Sequence, residues 1–160
     1  AVLAGLDKQY LSIEAESVVM ILPAAGRIEP GQLLSVTDYD LFIHIGLVLA
    51  NLGKHEEAIE RYDEAITHLS DPSKLKAAWN NKGLSLVALK RYEEAINCYD
   101  HAIGIDGTLK EAWYNKGRVY ALKGEHSKAI EYYSKAIQID PNYSHAQLAK
   151  QESMRESQKS

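Results

Sequence analysis

The chain of 160 residues carries a formal net charge of −4, and 25% of its residues are charged. That length suits one domain with a buried core, and the charge balance lacks the basic surplus with which nucleic-acid-binding proteins neutralise phosphates. The apolar run from Val18 to Leu22 is far too short to span a bilayer, so we expect no membrane insertion. Because Cys98 is the only cysteine, it cannot form an internal disulfide, which favours a reducing compartment such as the cytoplasm.

Residues 1–38 form a predicted N-terminal helical segment that does not share the pattern of the rest of the chain. The stretch LDKQYLSIEAESVVMIL has the spacing of an amphipathic helix, and prolines and glycines between Pro23 and Gly31 then mark a turn region. One interpretation is a cap that covers the open end of the helices that follow. The alternative is a surface for self-association or partner docking built on Val18 to Leu22, because an exposed apolar run promotes association.

From residue 39 to residue 141 the sequence repeats itself. Setting residues 76–106 over residues 110–140 at an offset of 34 aligns Trp79 with Trp113, Gly83 with Gly117, Ala95 with Ala129, Tyr99 with Tyr133 and Ala102 with Ala136. Residues 39–75 are an earlier copy at an offset of 37, which aligns Gly46, Ala58, Tyr62 and Ala65 with the same positions. The chain is therefore predicted to be a tandem array of three units.

Each unit has the period of two helices separated by a short polar break. In the first helix Trp79 and Gly83 are four residues apart and share a face. In the second helix Ala95, Tyr99 and Ala102 line one face. A glycine inside a helix costs about 1 kcal/mol relative to alanine. Because two helices approach closely only where small side chains meet, we expect the glycine and the alanines to mark the contact between the two helices.

The spacing between the first and second units differs from the spacing between the second and third. From Ala65 to Trp79 is 14 residues, whereas from Ala102 to Trp113 is 11. Three residues are therefore inserted near LSDPSKL. We expect them to lengthen a helix end or a loop without breaking the stack.

Residues 142–160 are predicted to form a capping helix with a frayed tail rather than a fourth unit. Asp140-Pro141 is a helix-start signal. The positions that hold the ring and the glycine in the other units hold Gln147 and Gln151 here. Four residues of this segment are expected to face the third unit: Tyr143, Ala146, Ala149 and Met154.

The repeated order of an aromatic residue, Gly, Ala, an aromatic residue and Ala resembles the tetratricopeptide repeat family, whose unit is a helix-turn-helix of 34 residues. The resemblance covers about residues 39–141 and departs from the family pattern locally, as at Lys82 and Lys116, where leucine is usual. It implies an all-α fold, a right-handed superhelical α-solenoid with an N-terminal helical segment and a C-terminal capping helix. The three implied repeats are residues 39–75, 76–109 and 110–141.

The sequence carries no motif that indicates catalysis. It contains no nucleophile motif, phosphate-binding loop or CxxC pair, so we expect no enzymatic activity, no cofactor and no metal. His55 and His126 occupy the repeat position of Tyr92 and are expected to pack as rings. Three further histidines are isolated and lack the spacing of metal ligands: His68, His101 and His145.

The resemblance implies binding along a stripe of side chains on the first helices, because in this family that stripe lines the concave side of the superhelix. Spacings of three and four place each set on one helix face. Asn81 and Asn115 are candidates to hold the backbone of an extended peptide, since an amide both donates and accepts. They could equally bond a neighbouring helix. The candidate binding residues are His44, Leu47, Asn51, Asn80, Asn81, Leu84, Tyr114, Asn115 and Arg118.

Three functions remain open on the sequence. The leading one is a non-catalytic adaptor or scaffold that binds a peptide or protein partner in the groove of the repeats, with no nucleic acid. The second is homo-oligomerisation through residues 1–38. The third is the regulatory region of a larger enzyme, because a fold by itself does not define a function.

Family members that serve heat-shock chaperones grip a C-terminal carboxylate with lysine, asparagine and arginine side chains on successive first helices. The matching positions here hold Ile43 and Leu47, then Asn81, then Glu111 and Asn115. Only Asn81 fits that pattern. We therefore expect no appreciable binding of acidic chaperone peptides, and a groove ligand held by amide and apolar contacts.

Overall fold

The computed structural model describes residues 39–159, and over this range the chain forms seven α-helices and no β-strand. In chain order the helices are α1 (Tyr39–Asn51), α2 (His55–His68), α3 (Pro72–Ala88), α4 (Tyr92–Ile105), α5 (Lys110–Leu122), α6 (His126–Ile139) and α7 (Ser144–Ser157). The helical segment predicted for residues 1–38 lies outside the described residues. Within the described range no helix combines the length and the apolar character that a membrane span requires.

Successive helices pack against one another along the chain. α1 pairs with α2, α3 with α4, and α5 with α6, and each pair contacts the helix that follows it. The first helices of the pairs also touch directly, α1 with α3, α3 with α5, and α5 with α7. This arrangement is the all-α solenoid of helix-turn-helix units that the sequence predicts, and it sets α1, α3, α5 and α7 side by side.

The turn inside each pair depends on one residue in the left-handed conformation. Gly53 and Gly124 have φ of 77° and 79°, and Lys90 has φ of 59° at the equivalent place. The next N–H then donates to a carbonyl oxygen near the end of the first helix, as from Arg91 to Leu86 at 2.9 Å. Glycine adopts this φ without a steric penalty, whereas Lys90 carries the strain of its Cβ.

The glycine inside each first helix lies against a tyrosine ring of the second helix. A Cβ atom added at Gly83 would lie 2.6 Å from Cε1 of Tyr99, far inside van der Waals contact. The prediction that this glycine marks the contact between two helices is confirmed, and the ring rather than an alanine is its partner. The equivalent pairs are Gly46 with Tyr62 and Gly117 with Tyr133.

The second helices supply most of the core. Ala95, Tyr99 and Ala102 are fully buried on α4, on the single face that their spacing predicts. The equivalent residues of α2 and α6 are buried as well: Ala58, Tyr62, Ala65, Ala129, Tyr133 and Ala136. Small and large side chains therefore alternate along each buried face, which lets the helices of a pair approach closely.

Helix α3 is longer than the other first helices of the pairs. It has 17 residues, whereas α1 and α5 have 13 each. The carboxylate of Asp71 caps its start by accepting the N–H of Ser73 at 2.8 Å, and Pro72 takes the first helical position. The three inserted residues near LSDPSKL thus lengthen a helix, one of the two outcomes that the spacing predicts.

Helix α7 packs against the third pair in the place that the first helix of a fourth pair would take. Ala146 is fully buried, and Tyr143 and Ala149 are half-buried, as expected. The prediction for Met154 is wrong, because its side chain is 45% exposed and Ser153 is buried instead. One residue along a helix turns the side chain by about 100°, so an error of one position moves it off the packed face.

Two ion pairs lie at equivalent places in the second and third units, and each joins the first helix of a pair to the residue that follows the second helix. Nζ of Lys76 lies 2.5 Å from the Asp106 carboxylate, and Lys110 meets Asp140 at the same distance. Asp106 also accepts hydrogen bonds from the N–H and the hydroxyl of Thr108. The hydrogen bond from Lys76, followed by those from Thr108, lowers the pKa of Asp106 to about 2.

Protonation of Asp106 is expected to destabilise the fold at low pH. Because its folded-state pKa lies below its unfolded-state value, its contribution is complete above about pH 4 and is lost as the pH falls towards about 2. Urea unfolding of the wild type and of Asp106→Asn across this range checks the sign. The variant should be less stable at neutral pH and should lose less stability on acidification; parallel declines would contradict the prediction.

Candidate functional site

The nine predicted binding residues all lie on α1, α3 and α5. Asn115 is buried, and three are half-buried: Asn80, Asn81 and Tyr114. The other five are exposed: His44, Leu47, Asn51, Leu84 and Arg118. Since these three helices lie side by side, the stripe continues from one helix to the next. Most of it is accessible to a ligand.

One cavity on this stripe, here named cavity A, lies between the three helices α1, α2 and α3. Its volume is about 190 Å³. Four predicted residues line it: Leu47, Asn51, Asn81 and Leu84. Its other lining residues are Ala50, His55, Tyr62 and Ser85. The fold thus gathers predicted residues of two first helices around one space.

A second cavity, here named cavity B, lies between α5, α6 and α7 and has a volume of about 330 Å³. The predicted residues Tyr114 and Arg118 line it. Each residue that lines cavity A has its repeat equivalent in the lining of cavity B, for example His126 for His55, Tyr133 for Tyr62, Ser153 for Ser85, Arg118 for Leu47 and Glu152 for Leu84. The two cavities are therefore the same architectural feature, two units apart, with different side chains.

Three predicted residues line neither cavity, and two of them bond to each other. Nδ2 of Asn115 donates to Oδ1 of Asn80 at 3.1 Å, and Asn115 is only 7% exposed. This amide joins α5 to α3, which is the second of the two roles that the sequence leaves open for it. The third residue that lines neither cavity is His44, which is exposed on α1. Asn81 occupies the repeat position equivalent to Asn115, but it lines cavity A.

Tyr114 lies in a cluster of rings beside cavity B. Its ring centroid is 5.7 Å from that of Tyr133 and 5.3 Å from that of Tyr143, which meets it edge-on. The guanidinium of Arg118 lies 5.8 Å from the same centroid. His145, which the sequence predicts to be isolated, packs edge-on against Tyr114 at 6.4 Å. Burial in this cluster raises the pKa of Tyr143.

Three buried polar atoms on residues lining cavity A have no hydrogen-bond partner within the described part of the chain. They are Nδ1 of His55 and the hydroxyl oxygens of Tyr62 and Ser85. Tyr62 is fully buried and Ser85 is 1% exposed. Desolvation raises the pKa of Tyr62 to about 12, so its hydroxyl stays protonated at neutral pH. Nδ1 of His126 is the equivalent unpaired atom of cavity B.

The histidines at the start of α2 and α6 line the two cavities. The sequence predicts that His55 and His126 pack as rings like Tyr92, and all three side chains are half-buried. Tyr92 packs against the core, and the two histidines also line the cavities. The repeat alignment already contains the signal, because a smaller polar ring replaces tyrosine at this position in the first and third units only.

Cys98 lies in the core, and His101 contacts a neighbouring ring. Cys98 is 3% exposed, and burial raises the pKa of its thiol to about 11, so the reactive thiolate is scarce at neutral pH. His101, also predicted to be isolated, stacks on Trp79 with ring centroids 4.3 Å apart. Over residues 39–159 no three His, Cys, Asp or Glu side chains are grouped as a metal site requires.

Two family models of the tetratricopeptide repeat match the chain. One matches residues 39–106 and the other matches residues 111–143, so together they span α1 to α6. Comparison with curated protein sequences yields no match.

Solved structures with the same fold include tetratricopeptide repeat (TPR) domains. The Sgt2 TPR domain from Aspergillus fumigatus is 18% identical, with 77% of this chain and 81% of that chain covered and a TM-score of 0.69. The first TPR of Spaghetti (RPAP3), bound to HSP90 peptide SRMEEVD, is 17% identical, with 73% and 90% covered and a TM-score of 0.66. YrrB, a TPR protein with an unusual peptide-binding site, is 29% identical, with 73% and 59% covered and a TM-score of 0.65.

Proposed function

The chain belongs to the tetratricopeptide repeat family, and from this premise we propose that it is a non-catalytic protein-interaction module. It holds an extended segment of a partner protein along α1, α3 and α5. The observation that carries the proposal is cavity A, where four residues chosen from the sequence line one space. Because a fold by itself does not define a function, the proposal rests on this site.

The side chains around cavity A match the needs of an extended peptide. The backbone of such a peptide has unpaired N–H and C=O groups, and the amides of Asn51 and Asn81 can donate to one and accept from the other. Leu47 and Leu84 are 45% and 39% exposed, so they offer apolar surface to neighbouring side chains of the ligand. Alternating amide and apolar contacts therefore favour a peptide over a small anionic metabolite.

Two of the similar structures support a peptide as the class of ligand. One was solved with an HSP90 peptide and another is described by its peptide-binding site. These facts belong to those proteins. For this chain the two structures favour a peptide as the ligand. Which peptide sequence this chain prefers depends on its own side chains.

The proposal is tested with a positional-scanning library of acetylated, amidated octapeptides and the full chain. We expect a subset of pools to bind. Asn81→Ala and Leu84→Ala should each weaken that binding about tenfold, the effect of losing one central contact. Both residues line cavity A and neither is fully buried, so the variants should fold.

Gln138→Ala is the matched control, because Gln138 is exposed on α6 and lines neither cavity. It should bind as the wild type does. Asn115→Ala is a poor probe of the ligand, since it also breaks the bond between α5 and α3. Absence of binding to every pool, or equal losses in Gln138→Ala and Asn81→Ala, would overturn the proposed function.

A further inference from the structure

One repeat position changes its chemistry from helix to helix along the stripe. It holds Leu47 on α1, Leu84 on α3, Arg118 on α5 and Glu152 on α7, at the same offsets that align the units. All four side chains are exposed, and each lines one of the two cavities. A ligand that runs along the first helices therefore meets two apolar side chains, then a cation and then an anion.

Arg118 is a cation that the protein itself leaves available. Its guanidinium lies 5.8 Å from the centroid of the Tyr114 ring, which orients the group. Within residues 39–159 its side chain forms no ion pair and no hydrogen bond, whereas Lys116 on the same helix is paired with Asp100 at 2.5 Å. A guanidinium has five N–H donors in one plane, in a geometry that matches a carboxylate. Arg118 can therefore bind an acidic side chain of a ligand.

Glu152 is the corresponding anion on α7. Its carboxylate has no ion pair within the described part of the chain, so it is not paired with Arg118 although both line cavity B. Glu156 lines the cavity as well, but it is paired with Lys159 at 2.6 Å. Because the two unpaired charges lie on different helices, a segment with two opposite charges in matching order complements this surface. A segment with the reverse order, or with two like charges, meets at least one repulsion.

The distance between the helices sets the spacing of the ligand residues. Helix α3 contacts α5, and α5 contacts α7. Packed helices lie about 8–10 Å apart and an extended chain rises about 3.3 Å per residue, so neighbouring first helices meet ligand residues about three apart. The facing positions on these three helices thus span about seven residues of a ligand.

We propose that the groove continues onto α7 and selects an extended segment with a fixed order of side chains. An apolar residue faces Leu84, an acidic residue faces Arg118 and a basic residue faces Glu152, each about three residues from the next. The segment can run in either chain direction with the same order along the protein. This inference rests on the proposed function and adds the class of partner segment that the groove prefers.

The positional-scanning octapeptide library tests this order directly, because an octapeptide is long enough to reach all three helices. The wild type should prefer acidic over basic residues at one library position, and basic over acidic residues about three positions away. Each preference should be about three- to fivefold, since both charges are exposed and surface ion pairs are weak. Arg118→Glu should invert the first preference alone, and Glu152→Arg should invert the second alone.

The double variant Arg118→Glu with Glu152→Arg gives the sharpest result. It keeps the net charge of the wild type, so the two preferences should exchange positions only if these two side chains contact the ligand. Lys128→Glu with Glu131→Arg is the matched control, because both residues are exposed on α6 and line neither cavity. The control should keep the wild-type order. All four substituted residues are exposed, so the variants should fold.

Salt gives a second readout that needs no variant. At about 1 M salt, exposed charges are screened beyond about 3 Å, so both charge preferences should shrink towards none. The preference for an apolar residue facing Leu84 should persist, because the burial of apolar surface does not depend on charge. Charge preferences that salt leaves unchanged would overturn the inference.

The outcomes separate the two proposals. Binding without opposite charge preferences about three positions apart, or with preferences that Arg118→Glu and Glu152→Arg leave unchanged, would overturn the charge order and leave peptide docking intact. The same inversion in the Lys128→Glu, Glu131→Arg control would overturn the charge order too. Absence of binding to every pool would overturn peptide docking and the charge order with it.

Discussion

Replacing Gly83 with leucine is expected to lower the free energy of unfolding by about 1–3 kcal/mol or more through overpacking. A Cβ atom at this position would lie 2.6 Å from Cε1 and 2.8 Å from Cζ of Tyr99. Tyr99 is fully buried, so its ring cannot move aside without displacing its neighbours. Even alanine should destabilise the protein here, although alanine favours the helix by about 1 kcal/mol over glycine.

Gly104→Ala is the matched control for Gly83→Ala. Gly104 also lies within a helix, α4, but apart from its chain neighbours and its own helix backbone no atom lies within 4 Å of the place where its Cβ would be. At this position the substitution changes only the helix propensity, so the free energy of unfolding should rise by up to about 1 kcal/mol. Urea unfolding of both variants measures the difference; an equal gain in stability for Gly83→Ala would show that the ring does not press on the helix.

The HSP90 peptide SRMEEVD is expected not to bind this chain, although a protein of the same fold was solved with it. The family resemblance implies that chaperone-binding members hold the peptide carboxylate with cationic or amide side chains at set positions of the first helices. At such positions this chain has Ile43 and Leu47, which have no hydrogen-bond donor in the side chain, and Glu111, which would repel a carboxylate. The amide of Asn115 is engaged with Asn80. A carboxylate removed from water needs several charge-assisted hydrogen bonds to bind well, so we expect a Kd weaker than about 1 mM.

Fluorescence titration of the labelled peptide and of its C-terminally amidated twin checks this expectation. The RPAP3 domain that was solved with the peptide serves as the positive control. Arg118 is a cation on the stripe, so a small salt-sensitive signal common to both peptides is compatible with the prediction. Micromolar affinity that disappears on amidation would refute it.

The repeat, the helix pairs and the core faces were all predictable from the sequence. Identical spacing of rings, glycines and alanines in three copies indicates both the helical period and the side of each helix that is packed. These are local properties, since residues three or four apart on a helix share a face whatever surrounds them. The fully buried Ala95, Tyr99 and Ala102 and the Gly83 contact with Tyr99 follow from that rule.

Helix α7 was less predictable, because the repeat pattern weakens in its sequence. With glutamine at the ring and glycine positions, nothing in residues 142–160 fixes the rotation of the helix to one residue. Met154 was assigned to the packed face that Ser153 occupies. The difference is physical: within the described residues α7 packs only against α5 and α6, so packing fixes fewer of its positions than those of α3 and α5.

The sequence by itself determined the helical repeat, the packed faces and the stripe of candidate binding residues, because each depends on spacing along one helix. Only the tertiary structure decided which residues of the stripe line a cavity and which bond to each other. It bonded Asn115 to Asn80, and it brought His55, Tyr62 and Ser85 from two units together around cavity A. His55 and Tyr62 lie on α2, Asn80 and Ser85 on α3, and Asn115 on α5. The distances between residues of different helices depend on how closely those helices pack, which no pattern within a single helix encodes.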